Sequence, residues 1–270
     1  MFNCDNYKTL CEEIELPEEF TAEVIDFIKD FDFSSVCEHI NNLLLPEKAE
    51  AAYEALREAE GDRGIKMLAY QLSAALLCRK SYNEKGISNK IFIDTMKCFS
   101  RFVKEHKIQF DCYGFDRGWW TWQQLSMSLF RLGVLEFEMR TDEGVNILSV
   151  HIPSDSVMTR EALGDSYNRA AEFFPKYYKE FKYEGMYCNT WLLAPALKDM
   201  LPAGSRILNF MEDYEILSET PDGDSFLMWV YWKEYPNYES LPEDTSLRRA
   251  VKKHLLAGGK IGEARGRVKG

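Results

Sequence analysis

Apolar side chains in the first half of the chain recur at steps of three and four residues, the spacing of one face of an α-helix. In residues 18–30, for example, Phe20, Val24 and Ile28 share such a stripe. Residues 46–60 are rich in the helix formers Ala and Glu, and Gly61 would end that helix. The pattern predicts helices over residues 18–30, 46–60, 64–78, 88–106 and 117–129, with Ser88 as a cap, and no strand before residue 130.

The period changes to two after Gly133, because residues 134–140 alternate, from Leu135 onward, between apolar and polar side chains. Residues 145–152 predict a second strand, so the two would form an antiparallel hairpin. A long helix over 160–181 follows, with Thr159 as its cap. The remaining pattern predicts strands over 186–193, 210–218 and 226–232, a short helix over 195–200, a last helix over 245–257 and a mobile, glycine-rich tail over 258–266.

Hairpin geometry places several reactive side chains on one face of the sheet. A four-residue loop over 141–144 would pair Arg140 with Val145, Glu138 with Ile147 and Glu136 with Ser149. Because side chains alternate, Glu136, Glu138, Ser149 and His151 would then share a face. A three-residue loop with a bulge at Gly144 would shift the pairing and keep the two acids together. Carboxylates, a serine and a histidine in such an arrangement suit a general base.

Charge is distributed unevenly along the 270 residues, whose 33 basic and 44 acidic side chains give a net charge of −11. Residues 1–62 hold 17 acidic and four basic side chains, whereas residues 245–270 hold eight basic and one acidic. The overall acidity argues against a nucleic-acid partner, since phosphate neutralisation needs clustered Lys and Arg. The acidic front and the basic tail could attract each other, the tail could hold an anion, or both could be ordinary solvated faces.

Cysteine usage and hydropathy bear on the compartment. Seven cysteines are scattered without a C-x-x-C pair, which is unlike the even, dense pattern of a secreted disulfide framework. The first 20 residues lack the basic and apolar blocks of a signal peptide, and no apolar run reaches the ~18 residues that span a bilayer. We therefore expect a cytoplasmic protein with reduced thiols and without a membrane partner. The four histidines are dispersed, so no metal site is expected.

Four strings in the second half carry a resemblance to a known family. They are Trp119-Trp120, Leu129-Phe-Arg-Leu-Gly-Val-Leu-Glu-Phe-Glu138, His151-Ile-Pro-Ser-Asp155 and Cys188-Asn-Thr-Trp-Leu-Leu-Ala-Pro195. With the order of predicted elements, they resemble a bacterial two-domain acyltransferase-like family. That family has a helical N-acyltransferase N-terminal domain and a GNAT-like C-terminal domain. The resemblance implies an α+β fold in which a helical domain, residues 1–130, packs on a mixed, mostly antiparallel sheet with flanking helices, residues 131–270.

The same resemblance implies an acyl-CoA-dependent N-acyltransferase, which transfers an acyl group from acetyl-CoA or another acyl-CoA directly to a small-molecule amine or a peptide. His151 would be the catalytic base, assisted by Glu136 or Glu138. The segment between the hairpin and the long helix would bind the cofactor through Ile152, Ser154, Ser156, Thr159 and Arg160. The acceptor, the acyl length and the oligomeric state are not predicted.

Two departures from the family pattern keep alternatives open. Residues 153–160 contain no glycine where GNAT enzymes have a glycine-rich pyrophosphate loop, so the segment could be a capped helix start alone. Residues 194–200 contain no tyrosine to protonate the leaving thiolate. Both favour a non-catalytic scaffold derived from a GNAT fold, which binds a ligand or a protein. In that case, Glu136 and Glu138 are solvent-facing hairpin residues and His151 only caps its strand.

Cys188 gives a third possibility, since a cysteine in the strand over 186–193 could act as a nucleophile with His151 as its partner. A strand cysteine is more often a small buried hydrophobe.

Overall fold

The computed structural model describes residues 3–57 and 63–269. The chain divides into two compact units, Met1–Leu132 and Gly133–Gly270. Helices and one short strand make up the first unit, and a sheet with flanking helices makes up the second.

The first unit is built around one long helix. Its elements are α1 (Cys4–Glu13), α2 (Glu18–Asp30), α3 (Cys37–Asn42), α4 (Ala49–Arg57), α5 (Ile65–Lys85), α6 (Asn89–Met96), α7 (Cys98–Phe110), α8 (Gly118–Leu125) and strand β1 (Leu129–Leu132). Helix α5 packs against α1, α2, α3, α6 and α8. Consecutive residues such as Leu68, Ala69 and Tyr70 are all buried there, as expected of a helix with neighbours on every side.

The helix predictions for this unit are largely confirmed. Helix α2 has the predicted bounds, and the Ser88 side chain caps α6 by accepting from the Ile91 N–H. The helix predicted over 88–106 is two helices that meet at Lys97. The helix predicted over 117–129 ends at Leu125, and β1 begins at Leu129. The prediction of no strand before residue 130 was therefore wrong, because the short strand β1 begins at Leu129. Part of the helix predicted over 46–60, with its stop at Gly61, lies outside the described residues.

The second unit carries most of the sheet. Its elements are β2 (Leu135–Asp142), β3 (Val145–His151), α9 (Arg160–Tyr177), β4 (Met186–Thr190), α10 (Leu197–Met200), α11 (Arg206–Glu212), β5 (Tyr214–Thr220), α12 (Phe226–Tyr231), α13 (Ser246–Leu256) and β6 (Glu263–Val268). The strands of this unit lie in the order β2-β3-β4-β6-β5. Only β3 and β4 pair in parallel; the other pairs among these strands are antiparallel. The predicted α+β class with a mixed, mostly antiparallel sheet is confirmed.

The hairpin turn is tighter than either loop that the sequence suggested. Asp142 pairs with Val145, so the loop contains only Glu143 and Gly144. Both have positive φ, 49° and 83°, as in the type I′ turn, whose twist matches that of the flanking strands. The pairing is consequently shifted by two residues from the prediction, with Glu138 opposite Ser149 and Glu136 opposite His151. A shift of two preserves which side chains share a face.

Three predictions near the C-terminus were wrong. Residues 226–232 form helix α12 instead of a strand, because a short, continuous apolar run does not distinguish a buried strand from a helix. The strand predicted over 210–218 begins only at Tyr214, after helix α11. The tail expected to be mobile supplies β6, which lies between β4 and β5.

The core side of the sheet is lined by apolar side chains. We call this the core face and define it by Phe137, Leu148, Val150 and Cys188, all of which are buried. The register puts Tyr214 on the same face, and Tyr167 of α9 donates to its hydroxyl at 3.2 Å. Helix α9 therefore covers the core face.

Candidate functional site

The opposite face of the sheet, the site face, is defined by Glu138, Ser149, Tyr187 and Arg267. These residues lie in one row, since Glu138 pairs with Ser149, Ser149 with Tyr187 and Tyr187 with Arg267. Alternation places Glu136 and His151 two residues further along the same face. The structure thus brings together the three residues that the sequence proposes as catalytic.

The parallel strands β3 and β4 diverge next to these residues. Their pairing consists of Leu148 with Met186 and Ser149 with Tyr187. Beyond that point β3 continues to His151, while the end of β4 pairs on its other side with β6. A gap therefore opens in the sheet at the level of His151, where polar backbone groups of both strands can meet a ligand.

His151 and Glu138 form a hydrogen-bonded pair on the site face. The distance from His151 Nε2 to Glu138 Oε2 is 2.9 Å, and both side chains are partly exposed. Because an ionised carboxylate only accepts, His151 Nε2 is the donor in this bond. Glu138 thereby sets the tautomer and the orientation of the imidazole. The arrangement can serve a general base.

Glu136 lies directly opposite His151 in the antiparallel ladder and is 2% exposed. The reading of both acids as ordinary solvent-facing hairpin residues does not fit that burial. Glu138 reaches His151 as the diagonal neighbour, a separation that long side chains can span.

The predicted cofactor-binding residues lie in the segment that joins β3 to α9. Ile152 is half-buried directly after His151, and Ser154 is exposed. The Ser156 hydroxyl donates to the Val134 carbonyl at 2.6 Å, which ties the segment to the start of the hairpin.

The segment ends at the start of α9. The Thr159 side chain accepts from the Ala162 N–H at 3.3 Å and so caps the helix. Arg160 makes an exposed ion pair with Glu212. The N–H groups of the first turn give this end of the helix a partial positive charge.

Cys188 lies on the core face and His151 on the site face, so the two cannot act as a nucleophile and its base. The thiol is 1% exposed, and burial raises the pKa of Cys188. A thiol kept neutral in this way is a poor nucleophile. The cysteine-hydrolase alternative is therefore wrong for this site.

Sequence reasoning missed the basic part of the site face. Arg265 and Arg267 lie on β6, with their guanidinium carbons 5.3 and 5.7 Å from the centroid of the Tyr187 ring. Residues 263–268 alternate between the charged Glu263, Arg265 and Arg267 and the small or apolar Ala264, Gly266 and Val268. That period of two indicates a strand, although the flanking glycines suggested a mobile terminus.

The described residues contain neither a metal-binding cluster nor a membrane-spanning helix. In residues 3–57 and 63–269, no group of three or more His, Cys, Asp or Glu side chains could hold a metal ion. No helix in that same part of the chain is long and apolar enough to cross a membrane.

The mixed sheet of β2 to β6, with a parallel pair among antiparallel ones, belongs to a GNAT-like domain. The chain matches the model of the GNAT-like C-terminal domain over residues 129–268 and that of the N-acyltransferase N-terminal domain over residues 5–127. The chain belongs to the family that combines these two domains, and the resemblance seen in the sequence is confirmed.

Solved structures of acyltransferases have the same fold. A complex with decanoyl-CoA and teicoplanin has a TM-score of 0.81 at 23% identity, covering 97% of this chain and 87% of that one. A mutant in complex with octanoyl-CoA has a TM-score of 0.82 at 22% identity, covering 98% and 88%. A complex with decanoyl-CoA has a TM-score of 0.81 at 20% identity, covering 98% and 87%. No curated protein matches the chain.

Proposed function

We propose that the protein is an acyl-CoA-dependent N-acyltransferase that transfers the acyl group directly to an amine. The observation that carries the proposal is the His151–Glu138 pair beside the gap between β3 and β4. A thioester lying in that gap would bring its carbonyl close to the base. The family membership and the shared fold with acyltransferases support the same reaction.

His151 acts as the general base. The acceptor nitrogen forms the new C–N bond with the acyl carbon, the C–S bond breaks, and CoA leaves as a thiolate. An acceptor that arrives as the ammonium first releases one proton to solvent, and the second proton, which the nitrogen loses as the C–N bond forms, passes to the imidazole of His151. Thiols ionise near pH 8.5, so the thiolate leaves without an obligatory acid, and the missing tyrosine in residues 194–200 does not prevent turnover.

Glu138 orients the imidazole and stabilises the imidazolium that proton transfer creates. Glu136 is buried opposite His151 on the same side of the gap. Negative charge here favours a cationic acceptor over an anionic one.

The segment after His151 binds the acyl-CoA. Ile152 directly follows β3 at the gap, and Ser154 is exposed two residues further on. The first turn of α9, with Thr159 and Arg160, provides N–H groups and positive charge for phosphate oxygens. Ser156 holds the segment in place through its bond to Val134, so its contribution is positional. In this proposal, the N-terminus of α9 and these side chains take the place of the glycine-rich loop.

We infer the acceptor and the acyl chain by analogy with the solved acyltransferase structures of the same fold. Octanoyl- and decanoyl-CoA occupy the similar acyltransferases, and teicoplanin is present in one of them. We therefore take medium-chain acyl-CoAs as first donors and a peptide as the acceptor, with a small amine as the second choice.

The two domains have different roles in this proposal. Residues 1–130 form the helical domain and residues 131–270 the acyl-transferring domain. The scattered cysteines, without a C-x-x-C pair, support a cytoplasmic location.

Calorimetric titration with acetyl-, octanoyl- and decanoyl-CoA tests the first step, and release of the CoA thiol in the presence of a peptide amine tests the second. Binding of at least one acyl-CoA below 1 mM, on the order of a typical KM, and acceptor-dependent thiol release are expected. No binding of any acyl-CoA would refute the proposal. Binding without transfer to any amine would support the scaffold instead.

A further inference from the structure

Ser149 lies at the closed end of the gap between β3 and β4. It pairs with Tyr187 at the last position where these two parallel strands are joined, and His151, two residues further on, lies where they have parted. Alternation places the Ser149 side chain on the site face together with those of Glu138 and His151. The reaction proposed above gives this hydroxyl no role.

The candidate base is turned toward Ser149. Ser149 lies directly opposite Glu138 in the antiparallel ladder, so the Cβ atoms of the two residues are about 5 Å apart. The His151 imidazole reaches back to the same Glu138, with 2.9 Å between Nε2 and Oε2. The ring therefore leans toward the row that contains Ser149, and a ligand group next to the base lies close to the serine as well.

The Ser149 hydroxyl is available to a ligand. Ser149 is half-buried, and within residues 3–57 and 63–269 no group is hydrogen-bonded to its hydroxyl. A ligand that covers this hydroxyl removes its water, and the lost hydrogen bond costs free energy unless the ligand replaces it. The ligand group that fits here is therefore a hydrogen-bond acceptor.

Tyr187, which pairs with Ser149 across the two strands, is directed elsewhere. Its hydroxyl lies 3.4 Å from Glu184 Oε1, three residues back along the chain and away from the open end of the gap. The guanidinium carbons of Arg265 and Arg267 lie 5.3 and 5.7 Å from the centroid of its ring. The serine, and not the tyrosine, is the hydroxyl that faces the gap.

The site face is closed on the side of Ser149 that leads to the hairpin turn. Ile147 is the next side chain on that face, and it is only 5% exposed. The ion pair between Arg265 and Asp142, 2.5 Å from nitrogen to oxygen, joins β6 to the end of β2 beside the turn. A ligand that enters the gap from its open end therefore ends at Ser149.

The order of groups in acyl-CoA directs its thioester to this position. The segment that leads to α9 lies at the open end of the gap, since Ser156 donates to the carbonyl of Val134, just before β2 begins. The phosphates are proposed to bind at the end of this segment, and the pantetheine arm separates them from the thioester. The arm then enters the gap at its open end, and the thioester lies near the closed end, beside His151 and Ser149.

We propose that the Ser149 hydroxyl donates a hydrogen bond to the carbonyl oxygen of the bound thioester. As the acceptor nitrogen bonds to the acyl carbon, the π electron pair of the C=O bond moves to the oxygen, and the donor stabilises that negative charge. When the C–S bond breaks, the pair returns and CoA leaves as the thiolate, so Ser149 keeps its proton throughout. This inference rests on the proposed acyl-CoA-dependent function and adds a catalytic residue to it.

Steady-state kinetics test the contribution to the transition state. Ser149→Ala should lower kcat by about 10²- to 10³-fold, the usual loss for one oxyanion donor, with little change in acyl-CoA affinity measured by calorimetry. Ser149→Thr keeps a hydroxyl and should retain most of the activity. Wild-type kcat in Ser149→Ala would overturn the proposal, and so would equal losses in the Ala and Thr variants, which indicate a packing role.

Ser218→Ala is the matched control. Ser218 is an exposed serine of β5, and its pairing with Arg265 places it on the site face, away from the gap. Its removal should leave kcat unchanged.

Infrared difference spectroscopy tests the hydrogen bond without turnover. The probe is octanoyl-CoA with ¹³C at the thioester carbonyl, bound to the full-length protein. In the wild type and in Ser218→Ala, the carbonyl stretching band should lie at lower wavenumber than in free octanoyl-CoA. Ser149→Ala should move the band back toward the free value, and a band at the wild-type position in this variant would refute the hydrogen bond.

The same band separates this inference from the proposed reaction. If octanoyl-CoA binds and no amine is acylated, a band position that depends on Ser149 supports the hydrogen bond, while the N-acyltransferase function fails. If amines are acylated and the band is the same with and without the Ser149 hydroxyl, the function stands and the role of Ser149 is refuted.

Discussion

Glu138 and His151 belong to neighbouring strands of one hairpin, and their side chains meet diagonally, with 2.9 Å between Oε2 and Nε2. The two-residue turn sets this contact, because it pairs Glu138 with Ser149 and leaves His151 one diagonal step away. A base oriented by a carboxylate is therefore built from residues 13 positions apart in the chain.

The first prediction concerns this pair in catalysis. His151→Ala should lower kcat by about 10²- to 10⁴-fold with little change in acyl-CoA affinity, because general base catalysis is lost. Glu138→Gln should cause a smaller loss, and the double variant should be no slower than His151→Ala alone, since the residues act as a unit. Steady-state kinetics and calorimetry measure both quantities.

Glu143→Gln, in the exposed turn of the same hairpin, is the control for the removal of a negative charge. It should leave kcat unchanged. Full activity in His151→Ala would contradict the catalytic assignment.

The second prediction compares two valines on β3. Val150 is 2% exposed on the core face, and Val145 is 43% exposed beside the turn. Val150→Ala should lower the free energy of unfolding by about 2 kcal/mol, through lost burial and a residual cavity. Val145→Ala should change it by less than about 0.5 kcal/mol. Urea denaturation measures the difference, and equal effects would argue against the assigned faces.

The third prediction concerns two glycines with similar φ. Gly133 and Gly144 have φ of 74° and 83°. A Cβ at Gly144 would meet no atom within 4 Å, whereas one at Gly133 would come within 2.4 Å of the Ser166 hydroxyl, which accepts from the Val134 N–H at 2.9 Å.

Gly144→Ala should therefore cost roughly 1–2 kcal/mol of stability from the left-handed conformation alone. Gly133→Ala should cost about 1–3 kcal/mol more, because the hydroxyl must move away from the buried N–H. Thermal and denaturant unfolding measure both. A smaller loss for Gly133→Ala would disprove the close approach of α9 to this turn.

The fourth prediction is that the buried thiols resist alkylation. Burial raises the pKa of Cys78 and Cys188, so less reactive thiolate is present at pH 7.5 than for an ordinary thiol. Iodoacetamide should label the exposed Cys37 in the native protein and label Cys78 and Cys188 only after unfolding. Peptide mass spectrometry gives the extent at each position. Rapid native labelling of Cys188 would restore the cysteine nucleophile as a possibility.

The fifth prediction concerns alkaline stability. Burial raises the pKa of Cys11 from 9.0 to about 12, so above pH 9 the unfolded chain loses this proton and the folded chain keeps it. The stability contribution is complete below pH 9 and is lost as pH rises toward 12.

Between about pH 9.5 and 11.5, Cys11→Ala should reduce the fall in the free energy of unfolding by about 1.4 kcal/mol per pH unit. The exposed Cys37→Ala is the control and should leave the slope unchanged. Identical slopes in the wild type and Cys11→Ala would show that Cys11 ionises alike in both states.

Local sequence rules succeeded where neighbouring residues decide the structure. Ser88 and Thr159 cap their helices as predicted, because a capping side chain needs only the N–H three residues further on. The alternation after Gly133 predicted the hairpin, and its parity placed Glu136, Glu138 and His151 on one face although the loop length was wrong. A period of two survives any even shift of register.

The same rules failed where contacts with distant segments of the chain determine the local structure. Phe226–Tyr231 is apolar throughout, and α12 packs on α13, a partner that the local pattern cannot identify. The sequence did not predict β6, because the small residues of this strand are needed only where it packs between β4 and β5. A side chain at Gly266 would crowd Leu193 and Tyr214, which come from two other parts of the chain.

By itself, the sequence determined the α+β class, the family and the face that carries the candidate base, since periodicity, caps and local strings are properties of short segments. Only the tertiary structure decided that β3 and β4 part beside His151, that Cys188 lies on the opposite face, and that the tail brings Arg265 to Asp142. These relationships join strands that lie far apart in the chain, and their register depends on packing that short-range patterns do not encode.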